Sequence, residues 1–328
     1  MSDLNDLPLV SIAICVYNGE RFLREQLDSL VNQTYPNIEI VALDDRSTDA
    51  SVDILNEYAN KYSSFRVTQN EENLGYVKNF EKAITLCKGE FIALCDQDDI
   101  WDLEKIRLQQ ENIREHLLIY HDSKFIDEEG KDMNKKMSDI LHLYSGDQPE
   151  IFMLSNCVSG HAIFFKRALI DEILPFPANH FHDHWMAYVA TNLGSIYCIP
   201  QCLVSYRQHS TASTDILNER TTKDESYHEN RYVAKYRKEL DWLKQCRSYP
   251  KNKNQAFVNR FTELFEKRID SFFAFEYAFV MKQYYDLLFS NQKLRKGTKA
   301  GFIKRQIWGL KAKTFWGDLV GKKKKIKN

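Results

Sequence analysis

The chain lacks any hydrophobic run long enough to cross a bilayer. The longest apolar stretch of its C-terminal half, from Phe272-Phe273-Ala274-Phe275 through Val280, is short and interrupted by Glu276, whereas a spanning helix needs about 20 consecutive apolar residues. A secretory leader pattern is also missing. Met1-Ser2-Asp3-Leu4-Asn5-Asp6 is polar and acidic, with no basic segment leading into an apolar one, so the expected location is the cytoplasm. The seven cysteines show no paired spacing, and Cys15 and Cys95 lie inside apolar runs, which favours reduced core thiols over disulfides or zinc. Net charge is scarce too, at -1, although it is unevenly spread. What remains, 328 residues that are 43% hydrophobic and 13% aromatic, suffices for one large core or two smaller ones.

The most informative feature that is present is the acidic cluster Asp96-Gln97-Asp98-Asp99 directly after the apolar run Phe91-Ile92-Ala93-Leu94-Cys95. A buried strand ending in carboxylates one residue apart delivers oxygen ligands to a sheet edge, where a divalent metal and a phosphate can be gripped. Taken alone, the pattern also fits a solvated acidic turn. Upstream, the apolar stretch Val10 to Val16 continues into Tyr17-Asn18-Gly19 and then a helical pattern through Phe22, Leu27 and Leu30. A second apolar strand, Ile38 to Leu43, stops at Asp44-Asp45-Arg46-Ser47-Thr48-Asp49, with Ser47 or Thr48 placed to cap the helix of Val52, Leu55 and Tyr58. A third strand around Val67 leads to Asn73-Leu74-Gly75 and a helix carrying Phe80, Ala83 and Ile84. Successive strands thus drop carboxylates at their C-terminal ends, the ligand-binding edge of parallel α/β sheets.

Together, Val10 to Asn18, Asp44 to Asp49, Asn73-Leu74-Gly75 with Asn79 and Ala83, and Asp96-Gln97-Asp98-Asp99-Ile100-Trp101 resemble a family 2 glycosyltransferase of GT-A fold over residues 8 to 210. The fold implied is a Rossmann-like, mostly parallel sheet flanked by helices, with a helical C-terminal extension. The Asp-Gln-Asp-Asp-hydrophobic-Trp form is similar to bacterial rhamnosyltransferases and related enzymes of polysaccharide assembly. The resemblance implies an inverting, metal-dependent transfer from a dTDP- or UDP-linked sugar to a glycan or lipid-linked acceptor. It places Tyr17, Asn18, Asp44, Asp45, Asp96 and Arg207 on the donor side, and Asp98 and His209 on a divalent metal, Mn²⁺ or Mg²⁺. Where this chain has Arg46, the family often has Gly. That departure leaves the turn beside the nucleotide open, together with a direct contact from Arg46 to phosphate.

Between Ile151 and His209 lie the acceptor-side candidates. Asn156 to Phe165 reads as a strand entered through a small-residue turn that brings Gly160 and His161 to a pocket mouth; the bland reading of His161 is a satisfied core histidine. His180-Phe181-His182-Asp183-His184-Trp185 supports two geometries. If extended, His180, His182 and His184 share a face and can bind a transition metal, as in a hydrolase. If Asp183 opens a helix through Trp185, Tyr188 and Val189, its carboxylate sits at a helix N-terminus, where capping alone is the bland role. The resemblance favours the helix, with Asp183 as catalytic base and Trp185 beside the acceptor. A non-catalytic sugar-binding protein is the remaining alternative.

The expected divisions are a transferase domain over 1–215, a helical extension over 216–290 and a basic tail over 291–328. In the extension, Phe257, Phe261, Leu264, Phe265, Phe272 and Phe275 fall near helical spacing, which predicts packing against the transferase domain or a second copy of the chain, hence a homodimer as one expectation. From Asn291 onward, 13 Lys and Arg stand against the single acid Asp318. Aromatic residues interleave with these cations before Lys322-Lys323-Lys324-Lys325, a pattern suited to an anionic membrane surface and hence to a peripheral place at the inner face of the cell membrane. A solvated basic end is the plain alternative, and nucleic acid ranks below both because nothing upstream resembles a nucleic-acid module.

Overall fold

The computed structural model describes residues 7–210, 217, 228–293, 298–313 and 315. Two compact units emerge from the chain. The first is Met1–Gln148 with Asn156–Asp215, and the second is Pro149–Ser155 with Ile216–Asn328.

The first unit opens with β1 (Val10–Val16), α1 (Glu20–Val31), β2 (Ile38–Asp44), α2 (Ser51–Lys61), β3 (Phe65–Gln69), α3 (Tyr76–Leu86) and β4 (Phe91–Cys95). These strands pair in parallel in the order β3-β2-β1-β4. The central strands are apolar at almost every position because helices cover both faces; Ile12, Ile14, Ala93 and Leu94 are fully buried. Each of the isoleucines and Leu94 contributes roughly 1.5–3 kcal/mol of burial. Helices α1 to α3 each place their apolar stripe on this sheet, with Leu23, Leu27 and Leu30 of α1 fully covered.

Beyond β4 the sheet becomes mixed. β5 (Ile100–Trp101), α4 (Lys105–Ile113), β6 (Leu118–Ile126), β7 (Asp132–Lys136), α5 (Met137–Ile140), β8 (Phe164–Lys166), α6 (Ile170–Ile173), α7 (His182–Leu193) and β9 (Ile196–Arg207) complete the unit. β8 pairs antiparallel with both β4 and β6, and β9 runs parallel to β6 while pairing antiparallel with β5. This is the expected α/β architecture.

Two local expectations fail. Neither Ser47 nor Thr48 caps α2, which begins at Ser51; both residues bond Asn18 instead, and Asp49 accepts from the Ser51 N–H at 3.0 Å. The segment from Asn156 is a strand only from Phe164. Before it, the Asn156 side chain accepts from the Val158 N–H at 2.9 Å and a 3₁₀ turn spans Gly160–Ala162, so local side-chain bonding outcompetes extension. Ile196–Arg207 form one long strand, β9, whose register against β6 shifts near Asp122.

The second unit is helical: α8 (His228–Ser248), α9 (Gln255–Ile269), α10 (Phe275–Gln283), α11 (Tyr285–Leu288) and α12 (Lys299–Gln306). The short turn Pro149–Met153 joins it, as Trp242 Nε1 donates to the Phe152 carbonyl at 3.0 Å. Phe257, Phe261, Leu264 and Phe265 of α9 form its core, around a buried Arg268 whose guanidinium faces the Tyr277 ring at 4.7 Å. Phe272 and Phe275 do not belong to that stripe. They lie past the end of α9 and are 50% and 65% exposed. No described helix is long and apolar enough to cross a membrane, and all seven cysteines are free thiols.

Candidate active site

The C-terminal ends of β1, β2 and β4 meet at one edge, and their loops brace each other. Gln97, in the loop after β4, accepts from the Tyr17 N–H at 2.7 Å and donates to the Tyr17 carbonyl at 3.1 Å. A Cβ at Gly19 would lie 2.6 Å from Gln97 Oε1, so a side chain there would push the Gln97 amide off the Tyr17 backbone. Tyr17 itself is 48% exposed, with its ring available at the rim. Asn18 adopts a left-handed φ of 48° and spends its side-chain oxygen on the Thr48 N–H, at 2.8 Å.

Asp44 and Asp45, adjacent in sequence, do different work. Both oxygens of Asp45 are engaged: Oδ1 accepts from Asn70 and the Leu74 N–H and Oδ2 from the Gly75 N–H, each at 2.8 Å. These bonds commit Asp45 to the Asn73-Leu74-Gly75 turn, whereas the nucleotide was its expected partner. Asp44 accepts through Oδ2 from Ser47 N–H and Gln69, while its buried Oδ1 has no partner. A fully buried acceptor left unanswered at a ligand-binding edge fits a donor arriving with the ligand.

The acid loop is more crowded. Asp98 Oδ2 lies 2.8 Å from His209 Nε2. Asp96, Asp99 and His161 offer ligand atoms within 4.8 Å of one another. Burial, then the charges of Asp98 and Asp183, push the Asp96 carboxyl up to about 7, and burial followed by Asp98 and Asp96 raises Asp99 well above the usual carboxylate range. Burial and mutual repulsion favour protonation of these neighbouring acids. Beneath them sits Lys105, which sequence reasoning missed. It is fully buried, its ammonium lies 3.1 Å from the Trp101 ring centroid, and it donates to the His161 carbonyl at 2.7 Å. Burial draws Lys105 down to about 7 against the opposing pull of Cys95, Asp99 and Asp96.

Arg207, expected on the nucleotide, is instead a buried strut. Its backbone N–H donates to Asp99 at 3.0 Å, while its guanidinium donates to the carbonyls of Asp98 and Glu128 and to the Glu25 carboxylate. It holds the acid loop against β9, which delivers His209 two residues later. Phe22 packs against both, with its ring 5.1 Å from His209 and 4.6 Å from the Arg207 guanidinium.

On the other side of the edge, α7 starts at His182 and presents Asp183 in its first turn. Asp183 accepts from the His184 N–H at 2.5 Å and from Asn156 at 3.1 Å. Burial nevertheless raises its carboxyl to about 7, against the lowering by the backbone N–H groups of His184 and Gly160. Gly160, an expected acceptor-side residue, thus contributes a backbone N–H to Asp183. His161 and Trp185 are buried instead. His161 is 2% exposed and bonds Ser123 at 2.8 Å, and burial followed by the Lys105 charge lowers it to about 3. Trp185 is core, donating to the Ile173 carbonyl at 2.9 Å. In their place stand two exposed aromatics that sequence reasoning missed, Tyr76 at 45% and Phe181 at 41%, their rings 6.3 Å apart. Burial, then the Asp183 charge, raises the Tyr76 hydroxyl above its ordinary value.

The helical start of α7 also removes the three-histidine hydrolase geometry, which required an extended chain. His182 points into an aromatic cage with Phe80 at 4.6 Å and Phe176 at 5.6 Å, and burial lowers it to about 4.

A mixed α/β sheet with an acid loop, an orphaned aspartate and a secluded carboxylate at one edge defines a nucleotide-sugar enzyme of the GT-A type. Comparison with known proteins specifies the family. The glycosyl transferase family 2 pattern matches residues 11–174, and the chain belongs to that family; it is a glycosyltransferase. It is 32% identical over 261 residues to the protein named glycosyltransferase EpsH of Bacillus subtilis, covering 72% of this chain and 74% of that one. A segment of 95 residues, 27% of this chain, is 48% identical to the poly(ribitol-phosphate) beta-glucosyltransferase of Bacillus spizizenii, of which it spans 15%. Among solved structures, residues 1–349 of TarS from S. aureus in complex with UDP-GlcNAc superimpose with a TM-score of 0.55 at 18% identity, over 87% of this chain and 74% of that one. At that identity the likeness speaks for the fold alone.

Proposed function

We propose that the protein transfers a sugar, with inversion, from a nucleoside-diphosphate donor to a hydroxyl of a bacterial cell-surface glycan or its lipid-linked precursor. The observation that carries this reading is the fully buried, unanswered Oδ1 of Asp44 at the C-terminal edge of the sheet in a family 2 domain.

In this reading the unpartnered Oδ1 of Asp44 accepts an N–H or ribose hydroxyl of the nucleotide, and Tyr17 lines the same rim. Asp98 and His209, with Asp96 beside them, would hold the divalent cation, because this pair is reached from the loop while Asp99 and His161 are sealed in the core. When bound, Mn²⁺ or Mg²⁺ would offset the charge that develops on the leaving diphosphate. The acceptor sugar lies on Tyr76 and Phe181, with its attacking hydroxyl toward Asp183. That oxygen bonds to the anomeric carbon, the carbon–diphosphate bond breaks on the opposite face, and the proton passes to Asp183. One displacement inverts the centre. A relative that glucosylates a ribitol-phosphate polymer supports a surface-polymer acceptor, and cytoplasmic work at the inner membrane face follows from the donor class.

The test is a thermal-shift and transfer screen of UDP-, dTDP- and GDP-linked sugars, dTDP-rhamnose included, with and without Mn²⁺. A ligand at about 100 times its Kd stabilises by roughly 2.7 kcal/mol. Stabilisation by one donor, dependent on the metal and followed by metal-dependent transfer, is expected; equal transfer in EDTA would overturn the metal reading, and indifference to every donor would overturn the function.

A further inference from the structure

The second unit displays six large aromatic side chains: Phe272, Phe273, Phe275, Phe279, Trp308 and Phe315, each between 43% and 65% exposed. They are held together. Phe273 stacks on Phe275 at 5.7 Å and meets Trp308 at 5.2 Å, and Phe272 meets Phe315 edge-on at 6.3 Å. The backbone fixes this arrangement, because Ala274 N–H donates to the Ile307 carbonyl at 2.7 Å and Gly309 N–H to the Phe272 carbonyl at 2.9 Å. A Cβ at Gly309 would fall 1.8 Å from the Ser271 carbonyl oxygen, so the close pairing of the two segments requires glycine there. A dedicated scaffold that keeps aromatics out of the core indicates a surface evolved to be covered.

The charge around them selects what covers it. Residues 298–313 contain five cations, Lys299, Lys304, Arg305, Lys311 and Lys313, and no carboxylate. Lys299 is paired with Asp286 and Lys313 with Tyr236, but Lys304 and Arg305 stand exposed on α12. Across residues 271–283 the single acid is Glu276, opposed by Lys282. The sequence then runs on into Lys322-Lys323-Lys324-Lys325, which lie outside the described residues. A second copy would bring the same positive charge against itself. An anionic lipid surface accepts both components at once, aromatic rings at the headgroup boundary and cations at the phosphates.

We infer that this aromatic face of the second unit, together with its basic flank, docks the protein on an anionic membrane. Unlike the expectation drawn from the basic tail alone, docking is centred on Phe273, Phe275, Phe279 and Trp308, with the lysines as an electrostatic supplement. The inference does not rest on the transfer reading. Its test is sedimentation of the full chain with phosphatidylglycerol–phosphatidylcholine vesicles and with phosphatidylcholine alone. The wild type is expected to bind the anionic vesicles selectively, with Trp fluorescence quenched by brominated lipid. Phe275→Ser with Phe279→Ser is expected to weaken partitioning at least tenfold at unchanged thermal stability, since both side chains are exposed; Lys304→Gln with Arg305→Gln is expected to weaken it severalfold and to flatten its salt dependence. Vesicle binding by the phenylalanine variant equal to wild type overturns the inference. So does a concentration-dependent dimer, seen by equilibrium sedimentation, that the phenylalanine variant abolishes while vesicle binding stays intact.

Discussion

The two units spend their departures from ordinary protein architecture in opposite ways. The first buries polar and charged groups: Asp44, Asp99, Lys105, His161 and Arg207 are all within 2% of full burial. The second exposes apolar ones, the six aromatics around Trp308. Both departures carry a cost, because an unpaired buried polar group loses its hydration and an exposed ring orders water. Among the described residues of the first unit the unanswered buried atoms include Asp44 Oδ1, at the end of β2, and Asp99 Oδ2 in the acid loop. The acid loop and Asp183 belong to the first unit and the exposed aromatics to the second, so each set can be substituted without changing a residue of the other.

The largest effect is expected at the acid loop. Asp98→Asn keeps the shape of the side chain and its place beside His209 but removes the charge that a cation requires. Transfer should fall by about 10³-fold, the upper range for loss of one electrostatic stabiliser, and the manganese dependence of nucleotide-induced thermal stabilisation should disappear. Retention of that dependence would move the metal to the Asp96, Asp99 and His161 group.

Next comes the base. Asp183→Asn should lower kcat by at least about 100-fold with little change in donor binding, because the group acts on the acceptor proton alone. Equal loss of donor affinity and rate would reduce Asp183 to a helix-capping residue. The pH profile gives a second, independent view. With its carboxyl at about 7, the base is protonated below that pH, so kcat/KM should fall about tenfold per unit as pH drops below 7 and level off above it. Stability should run the other way. A folded-state carboxyl raised above its unfolded value keeps a proton that the unfolded chain has released, so its contribution is fully present below about pH 4 and is lost as pH rises through about 7. Asp183→Asn should flatten that slope in urea unfolding measured across the same window.

The strands of the first unit and the acids at their ends were legible in the sequence because both signals are local: apolar runs such as Phe91 to Cys95 stop abruptly at carboxylates. The helix carrying Asp183 was chosen on the family resemblance, because His180 to Trp185 read locally fits an extended chain as well. What was not legible is which polar residues the fold would consume. Arg207 reads like a phosphate ligand, yet it is bonded to Asp98, Glu128 and Glu25, partners 79 to 182 residues away. Trp185 and His161 were lost to burial in the same way. Tyr76 and Phe181 were missed because nothing in either neighbourhood announces that α3 and the turn before α7 meet. Spacing reports periodicity, and burial is decided by tertiary packing that spacing does not contain.

A smaller effect separates the two adjacent aspartates. Asp45→Ala removes the acceptor for Asn70, Leu74 and Gly75 at once, and two of these donors are backbone N–H groups. A loss of roughly 2–4 kcal/mol is expected, a few unsatisfied donors at 1–3 kcal/mol each with partial hydration. Asp44→Asn, by contrast, should leave the urea midpoint nearly unchanged and weaken donor binding. If Asp45→Ala unfolds at the wild-type midpoint, its placement as an anchor is wrong.

The smallest effect is the one at Arg46, where the chain departs from the glycine common in the family. Arg46 is exposed and holds a φ of 68°, in the left-handed region that costs a non-glycine residue about 1–2 kcal/mol. Replacing it by glycine relieves that strain while adding roughly 0.5–1 kcal/mol of backbone entropy to the unfolded chain. The two terms nearly cancel, leaving Arg46→Gly more stable by about 0.5 kcal/mol. A residue kept in a strained conformation against a slightly better alternative is expected to act on the ligand. An exposed guanidinium one residue beyond the paired aspartates is placed to meet diphosphate, so the same variant should raise the donor KM severalfold while kcat holds. Gain of stability with unchanged KM would show that the arginine is tolerated rather than used.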